Sequence, residues 1–171
     1  MSAQLQTSTL ISSALPRREA MFDGALNRES LQSLSIRTSA AFSVAPHRLL
    51  YALTIPEYVE TWLTPPDLGE VSCTGNPKAG EALSIELRQY HRITACIFAE
   101  YKSISPQDLN IRWYVRSRAN THVSQLRISI RTVRADAILR IRHTGFTNIS
   151  DWQWHQELWG LSLTKMQMLI R

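Results

Sequence analysis

The chain has 171 residues, of which 44% are hydrophobic and 19% charged, a composition typical of one folded domain and not of a disordered chain. Sixteen arginines and three lysines against fourteen acidic residues give a formal net charge of +5. Two cysteines, Cys73 and Cys96, exclude a disulfide framework and a four-thiolate zinc site. No apolar run has the roughly 18 residues of a membrane span. We therefore expect a soluble protein of the cytoplasm.

The first part of the chain differs in pattern from the rest. Residues 1–16 carry no charge and show no helical or strand period, and a short amphipathic helix fits Arg17 to Glu29. We therefore expect a flexible amino-terminal extension over residues 1–30 and one folded domain over residues 31–171.

Hydrophobic periodicity predicts the elements of that domain in chain order. Alternation predicts a strand from Leu34 to Val44, and apolar stripes behind Pro46 and Pro56 predict two short helices. Six further strands are predicted, at about Glu70 to Thr74, Glu81 to Leu87, Ile93 to Ile104, Leu109 to Arg116, Val123 to Val133 and Ala137 to His143. A long amphipathic helix, capped by Ser150, follows. An antiparallel sheet that buries the stripe of a terminal helix is an α+β arrangement.

Four segments resemble one known family. They are VAPHRLLYALTIPEYVETWL, IFAEYKSISPQDLNIRW, LRIRHTGF and ELWGLSLTKMQMLI. Together they are similar to the homologues of the activator of the ninety-kilodalton heat-shock chaperone ATPase, within the START-like (SRPBCC) superfamily. The similarity covers Leu31 to Arg171, and it departs from the family at the final helix, where Gly160 follows Trp159 instead of preceding it.

The resemblance implies a helix-grip fold. In that fold a curved seven-stranded antiparallel sheet wraps around a long carboxy-terminal helix, two short helices follow the first strand, and an apolar cavity often lies between sheet and helix. Many members of the superfamily bind apolar molecules there. A fold alone does not assign a function, so the site residues have to be considered separately.

Strand parity and helix spacing select the side chains that face such a cavity. The predicted lining is Trp62, Trp113, Val115, Ile128, Ile141, His143, Trp159, Leu163 and Met166. The leading hypothesis is non-enzymatic, stress-related binding of an apolar or amphipathic small molecule. Periodicity is equally compatible with side chains that simply fill the core.

Catalysis is a further alternative, and it would depend on His143. This imidazole has a reference pKa near neutrality, so it suits a cyclase, dehydratase or hydrolase acting in the cavity; a structural histidine at a strand end is the commoner case. No histidine pair has a ligand spacing such as His-x-x-x-His, and no phosphate-binding loop or nucleophile elbow is present. We expect neither a metal nor a cofactor.

Arginines concentrate on the opposite face of three predicted strands. These residues are Arg112, Arg116, Arg127, Arg131, Arg140 and Arg142. Such a face is either a solvated surface paired with Glu81, Glu86 or Glu100, or a docking surface for an acidic partner, which is either a protein such as a chaperone or a phosphate-bearing polymer. Thin aromatic interleaving argues against nucleic acid. A homodimer through an exposed sheet edge is left open.

Overall fold

A computed structural model describes residues 34–118, 120–134 and 136–170. The seven strands are β1 (Ser35–Phe42), β2 (Glu70–Gly75), β3 (Ala82–Gln89), β4 (Arg92–Ile104), β5 (Asp108–Ser117), β6 (Thr121–Val133) and β7 (Asp136–Thr144). The three helices are α1 (Pro46–Thr54), α2 (Pro56–Trp62) and α3 (Ile149–Leu169). The predicted extension over residues 1–30 and its candidate helix lie outside the described residues.

The strands form one antiparallel sheet in the order β1-β7-β6-β5-β4-β3-β2. Strands β2 to β7 are an uninterrupted meander, and β1 closes the other side by pairing with β7. The apolar stripe of α3, which includes Trp159, Leu163 and Met166, is buried against the curved sheet. The predicted α+β helix-grip fold, with its seven strands and two short helices after the first strand, is confirmed.

Strand parity places side chains as the sequence indicates. In β4, Ile97, Ala99 and Tyr101 are buried, whereas Phe98 is 40% exposed on the outer face. Alternation of side chains across a pleated strand accounts for this division. The sheet therefore has an apolar inner face covered by the helices and a polar outer face open to solvent.

The start of α3 corrects one prediction. The predicted cap, Ser150, lies inside the helix; the cap is Asn148, whose side-chain oxygen accepts a hydrogen bond from the Asp151 N–H at 2.8 Å. Asn and Ser are comparable caps, so the residue type could not decide between them. In the described part of the chain, none of the helices is long and apolar enough to cross a bilayer.

Two glycines with positive φ offer a matched test of the fold. A Cβ added at Gly75 (φ +128°) would lie 2.3 Å from the Ala82 carbonyl oxygen, whereas at Gly80 (φ +84°) it would meet nothing within 4 Å. Both alanine substitutions bear the strain of the left-handed region, and only the first adds a clash. We expect Gly75→Ala to lower the free energy of unfolding by about 2 kcal/mol more than Gly80→Ala, as measured by urea denaturation. Equal losses would contradict the close packing of β2 on β3.

Candidate functional site

The space between the sheet and α3 is almost completely filled. The void at the predicted cavity has a volume of about 20 Å³, close to the space that one water molecule needs. Trp62, Trp113, Ile128 and Trp159 of the predicted lining border it. The other predicted lining residues do not: Ile141, His143, Leu163 and Met166 are buried in the surrounding core, and Val115 borders a separate surface depression.

Two tryptophans of this interior hydrogen-bond to two histidines. The Trp159 Nε1–H donates to His143 Nδ1 at 3.0 Å, and the Trp113 Nε1–H donates to His155 Nε2 at 3.1 Å. A buried indole N–H needs a partner to offset the loss of water. The two imidazoles therefore allow large aromatic side chains to fill the centre of the domain without leaving their polar atoms unpaired.

These contacts define the proton positions on both imidazoles. Because His143 Nδ1 accepts from tryptophan, the proton is on Nε2, which donates to the Ser124 hydroxyl oxygen at 2.7 Å. In His155, Nε2 accepts and the protonated Nδ1 donates to the Asp151 carbonyl oxygen at 2.6 Å. We name this set the Trp–His network; its members are Trp113, Ser124, His143, His155 and Trp159.

Burial keeps the histidines of the network neutral. It lowers the pKa of His143 well below its ordinary value, with smaller contributions from His155 and His122. Burial also lowers the pKa of His155 to about 4, although the hydrogen bond to the Asp151 carbonyl opposes that shift. Both ring nitrogens of His143 are engaged, which is typical of a structural histidine. A catalytic role for His143 stays a prediction.

A third histidine adjoins the network without joining it. The His122 ring stacks on Phe146 with centroids 5.4 Å apart, and neither of its nitrogens has a hydrogen-bond partner. The carboxylate oxygen Asp151 Oδ2 lies 3.5 Å from its Nδ1. Although three imidazoles lie close together, no three His, Cys, Asp or Glu side chains of the described residues are arranged to hold a metal ion.

The sequence analysis did not place His122, Ser124 or His155 in the interior. His122 and Ser124 share the inward parity of Leu126 in β6, so alternation alone could have placed them inside. His155 lies one helical turn before Trp159 on the buried side of α3. The strand or helix period marks each of these positions as inward, but a core prediction based on apolar residues does not include polar side chains.

The outer face of the sheet carries the second candidate site. All six predicted arginines, Arg112, Arg116, Arg127, Arg131, Arg140 and Arg142, are exposed there, and we name this set the arginine face. A surface depression of about 810 Å³ crosses β1, β7, β6 and β5, and Arg37, Arg127, Arg131, Arg140 and Arg142 are among the residues that line it. Arg37 is an addition that the sequence reasoning missed.

Cross-strand register brings three of these arginines into one line. Arg142 in β7 lies directly opposite Arg37 in β1 and directly opposite Arg127 in β6. Like charges at directly opposite positions of a sheet repel each other and destabilise the pairing. We name this line the arginine row.

The arginine row lacks the ion pairs that other arginines of the face have. Arg131 pairs with Asp108 at 3.2 Å, and Arg112 lies 3.9 Å from Glu100. Among the described residues, no carboxylate lies within ion-pair distance of the row. The predicted partner Glu86 pairs with Arg88 instead, so ion pairs with the sheet's own carboxylates involve only part of this exposed face.

Substitution of two histidines by phenylalanine separates their roles. His143→Phe leaves the Trp159 indole N–H without its acceptor, and the Ser124 hydroxyl keeps only its 3.3 Å hydrogen bond to the Trp113 carbonyl oxygen, so we expect a loss of roughly 2 to 4 kcal/mol in the free energy of unfolding. His122→Phe removes two nitrogens that make no hydrogen bond and a 3.5 Å contact to Asp151 Oδ2, and it keeps the stacking on Phe146, so we expect a change within about 1 kcal/mol. Chemical denaturation at neutral pH measures both. Similar losses in the two variants would contradict the Trp–His network.

The two histidines of the Trp–His network, His143 and His155, predict acid sensitivity. Their folded-state pKa values lie below the unfolded value of 6.5, so the unfolded chain binds more protons. Their contribution to stability is therefore fully present above pH 6.5 and is lost as the pH falls toward 4. His155 alone accounts for roughly 3 kcal/mol of this loss. Denaturation curves between pH 7.5 and 4.5 test it, and an unchanged free energy of unfolding over that interval would contradict it.

Comparisons with known proteins agree with the fold. No family model matches the chain, and no curated protein matches it significantly. Among solved structures, the Aha1 dimer from Colwellia psychrerythraea is similar at 14% identity and a TM-score of 0.61, over 80% of this chain and 95% of that one. An HSP90 activator from Plasmodium falciparum is similar at 14% identity and a TM-score of 0.62, over 80% and 95%.

A third solved structure is also similar in fold. CalU16 from Micromonospora echinospora has 16% identity and a TM-score of 0.59, with 78% of this chain and 74% of that chain covered. At such identities the likeness concerns the fold. The chain therefore has the same helix-grip fold as these Aha1-type structures.

Proposed function

We propose that the chain is a non-catalytic docking module that binds an acidic protein surface through its arginine face. The observation that carries the proposal is the arginine row, in which Arg37, Arg142 and Arg127 lie opposite one another on adjacent strands. The row has no carboxylate partner among the described residues. A partner that supplies carboxylates there relieves the repulsion and gains charge-assisted hydrogen bonds.

Physical considerations favour an acidic protein over a nucleic acid. The depression at the row is large enough for several side chains of a partner, at about 810 Å³, but none of its lining residues is aromatic. Bases would therefore find no stacking surface within it. Guanidinium groups bind both carboxylates and phosphates in a planar, two-pronged geometry, so the lack of a stacking surface is what favours the carboxylates of an acidic protein.

The fold similarity supports one class of partner as the first candidate. Because one structural neighbour is described as an HSP90 activator, a chaperone of the HSP90 class is the first partner to test. The stress-related role expected from the sequence belongs to this proposal. Electrostatic docking would make the association strongly dependent on salt.

Binding of an apolar or amphipathic molecule between sheet and α3 is the second candidate. One observation favours it: Trp62 borders both the 20 Å³ void and a surface groove of about 650 Å³ between the short helices and the end of α3. Its indole N–H donates to the Ala52 carbonyl oxygen at 2.7 Å. A ligand would have to displace this ring, so the packed interior supports the docking proposal better.

Charge reversal in the arginine row tests the docking proposal. We expect Arg127→Glu/Arg142→Glu to weaken binding to a purified HSP90-class chaperone from the same cells by at least about tenfold. Biolayer interferometry at low and physiological salt measures it. The matched control, Arg48→Glu/Arg92→Glu, changes charge equally at two exposed arginines outside the depression and should bind as the unaltered protein does. Equal binding by both double variants, or no binding by the unaltered protein, would contradict the proposal.

A further inference from the structure

The free edge of β1 presents backbone groups that the sheet does not use. Strand β1 is terminal in the sheet and pairs only with β7. The Ile130 N–H of β6 donates to the Gln107 carbonyl oxygen, on the side of β6 that faces β5. Backbone groups of successive residues in a strand point alternately to its two neighbours. Leu139, which lies opposite Ile130, therefore bonds to Ala40 of β1. The amide and carbonyl groups of Arg37 and Ser39 consequently point away from β7, toward the open edge.

Side chains of α3 occupy both ends of this edge and leave its centre open. The Trp152 Nε1–H donates to the Ser35 carbonyl oxygen at 3.3 Å, and the Gln167 side-chain amide donates to the Ala41 carbonyl oxygen at 3.1 Å. In the described residues, no hydrogen bond reaches the edge-facing groups of Arg37 and Ser39. The remaining window suits a short added strand, which needs such a row of unpaired donors and acceptors.

A groove runs between this window and α3. Its volume is about 360 Å³, and its lining includes Thr38 of β1 and Gln156 and Gly160 of α3. A Cβ at Gly160 would meet nothing within 4 Å, so packing inside the domain does not require glycine there. Glycine weakens a helix relative to alanine. The open space beside Gly160 leaves room for side chains of an added strand.

The other edge of the sheet is protected, which makes the β1 window distinctive. In β2, the Cys73 N–H donates to Glu60 Oε1 at 2.6 Å, so a side chain of α2 already covers that edge. Burial and the charges of Glu60 and Glu57 raise the pKa of the Cys73 thiol to about 12, and the thiol stays protonated.

The positive charge of the arginine row indicates which kind of chain binds at the open centre of the β1 edge. The groove and the arginine depression share Arg37 and Thr38, so an added strand would place alternate side chains beside the arginine row. A second copy of β1 would bring Arg37 of two chains together on that face, which like-charge repulsion disfavours. A segment with acidic residues at alternate positions is complementary.

We propose that the β1 edge takes up an extended acidic segment of the partner protein as an eighth strand. Main-chain hydrogen bonds to Arg37 and Ser39 hold the segment, its carboxylates meet Arg37 and Arg142, and its other side chains enter the groove beside Gly160. This inference rests on the docking function proposed above and specifies how the partner binds.

Synthetic peptides test the binding mode. The probe is a fluorescent peptide of about ten residues with alternating Glu and Val, compared with the same peptide N-methylated at alternate residues. We expect the first to bind and to slow hydrogen exchange of the Arg37 and Ser39 amides in NMR spectra. N-methylation on the pairing side should weaken binding at least about tenfold, because it removes the main-chain donors.

Protein variants separate this inference from the docking proposal. Ser39→Pro removes an edge-facing N–H without loss of a ladder bond to β7, a position where an edge strand tolerates proline. Gly160→Leu fills the groove and should strengthen α3, so it remains informative if the proline variant does not fold. We expect each to weaken peptide binding at least about fivefold, and Gly80→Ala, on an open turn away from the window, to leave it unchanged.

The outcomes are distinguishable. Two results together would overturn strand addition and leave the docking proposal intact. The first is loss of binding in Arg127→Glu/Arg142→Glu. The second is equal binding of both peptides, unchanged in Ser39→Pro and Gly160→Leu. Absence of binding by either peptide at millimolar concentration would overturn strand addition, and a chaperone that also fails to bind would overturn docking. Concentration-dependent dimerisation that Ser39→Pro abolishes, without peptide binding, would assign the edge to a second copy and overturn the inference.

Discussion

The Trp–His network is the interaction on which the rest of the structure depends. Two indole N–H groups of Trp113 and Trp159 are buried between sheet and helix, and each donates to a neutral imidazole. Those hydrogen bonds allow aromatic rings to occupy the centre of a strongly curved sheet, where a related fold could hold a ligand. Because an unpaired indole N–H would cost roughly 1 to 3 kcal/mol there, the histidines and tryptophans depend on one another.

A closed interior moves the functional question to the outer surface. The void beside Trp62 is about 20 Å³, whereas the depression at the arginine row measures about 810 Å³. The row also destabilises the strand pairing locally, since like charges lie directly opposite each other on three strands. Proteins retain such local costs where binding requires them. The packed core and the arginine row lie on opposite faces of the same strands.

Sequence periodicity predicted much of this fold, and its failures have physical reasons. Alternation placed every strand within a few residues, because each has one buried and one solvated face. Alternation could not show whether inward side chains fill the interior, since Trp113 and Ile128 have the same parity in a hollow core and in a packed one. Arg37 was not predicted as part of the arginine face because its place there depends on β1 pairing with β7, a contact between distant parts of the chain. The Trp–His network likewise joins strands to a helix, which no local period encodes.

Native mass spectrometry of the protein isolated from its own cells, at low and then at high salt, tests the central claim most directly. The claim is that the interior is filled and that binding takes place on the charged outer face. It predicts the mass of the bare chain at high salt, with any acidic protein partner present only at low salt. A small apolar molecule that stays bound at high salt would contradict it, because salt does not weaken apolar contacts in a buried cavity.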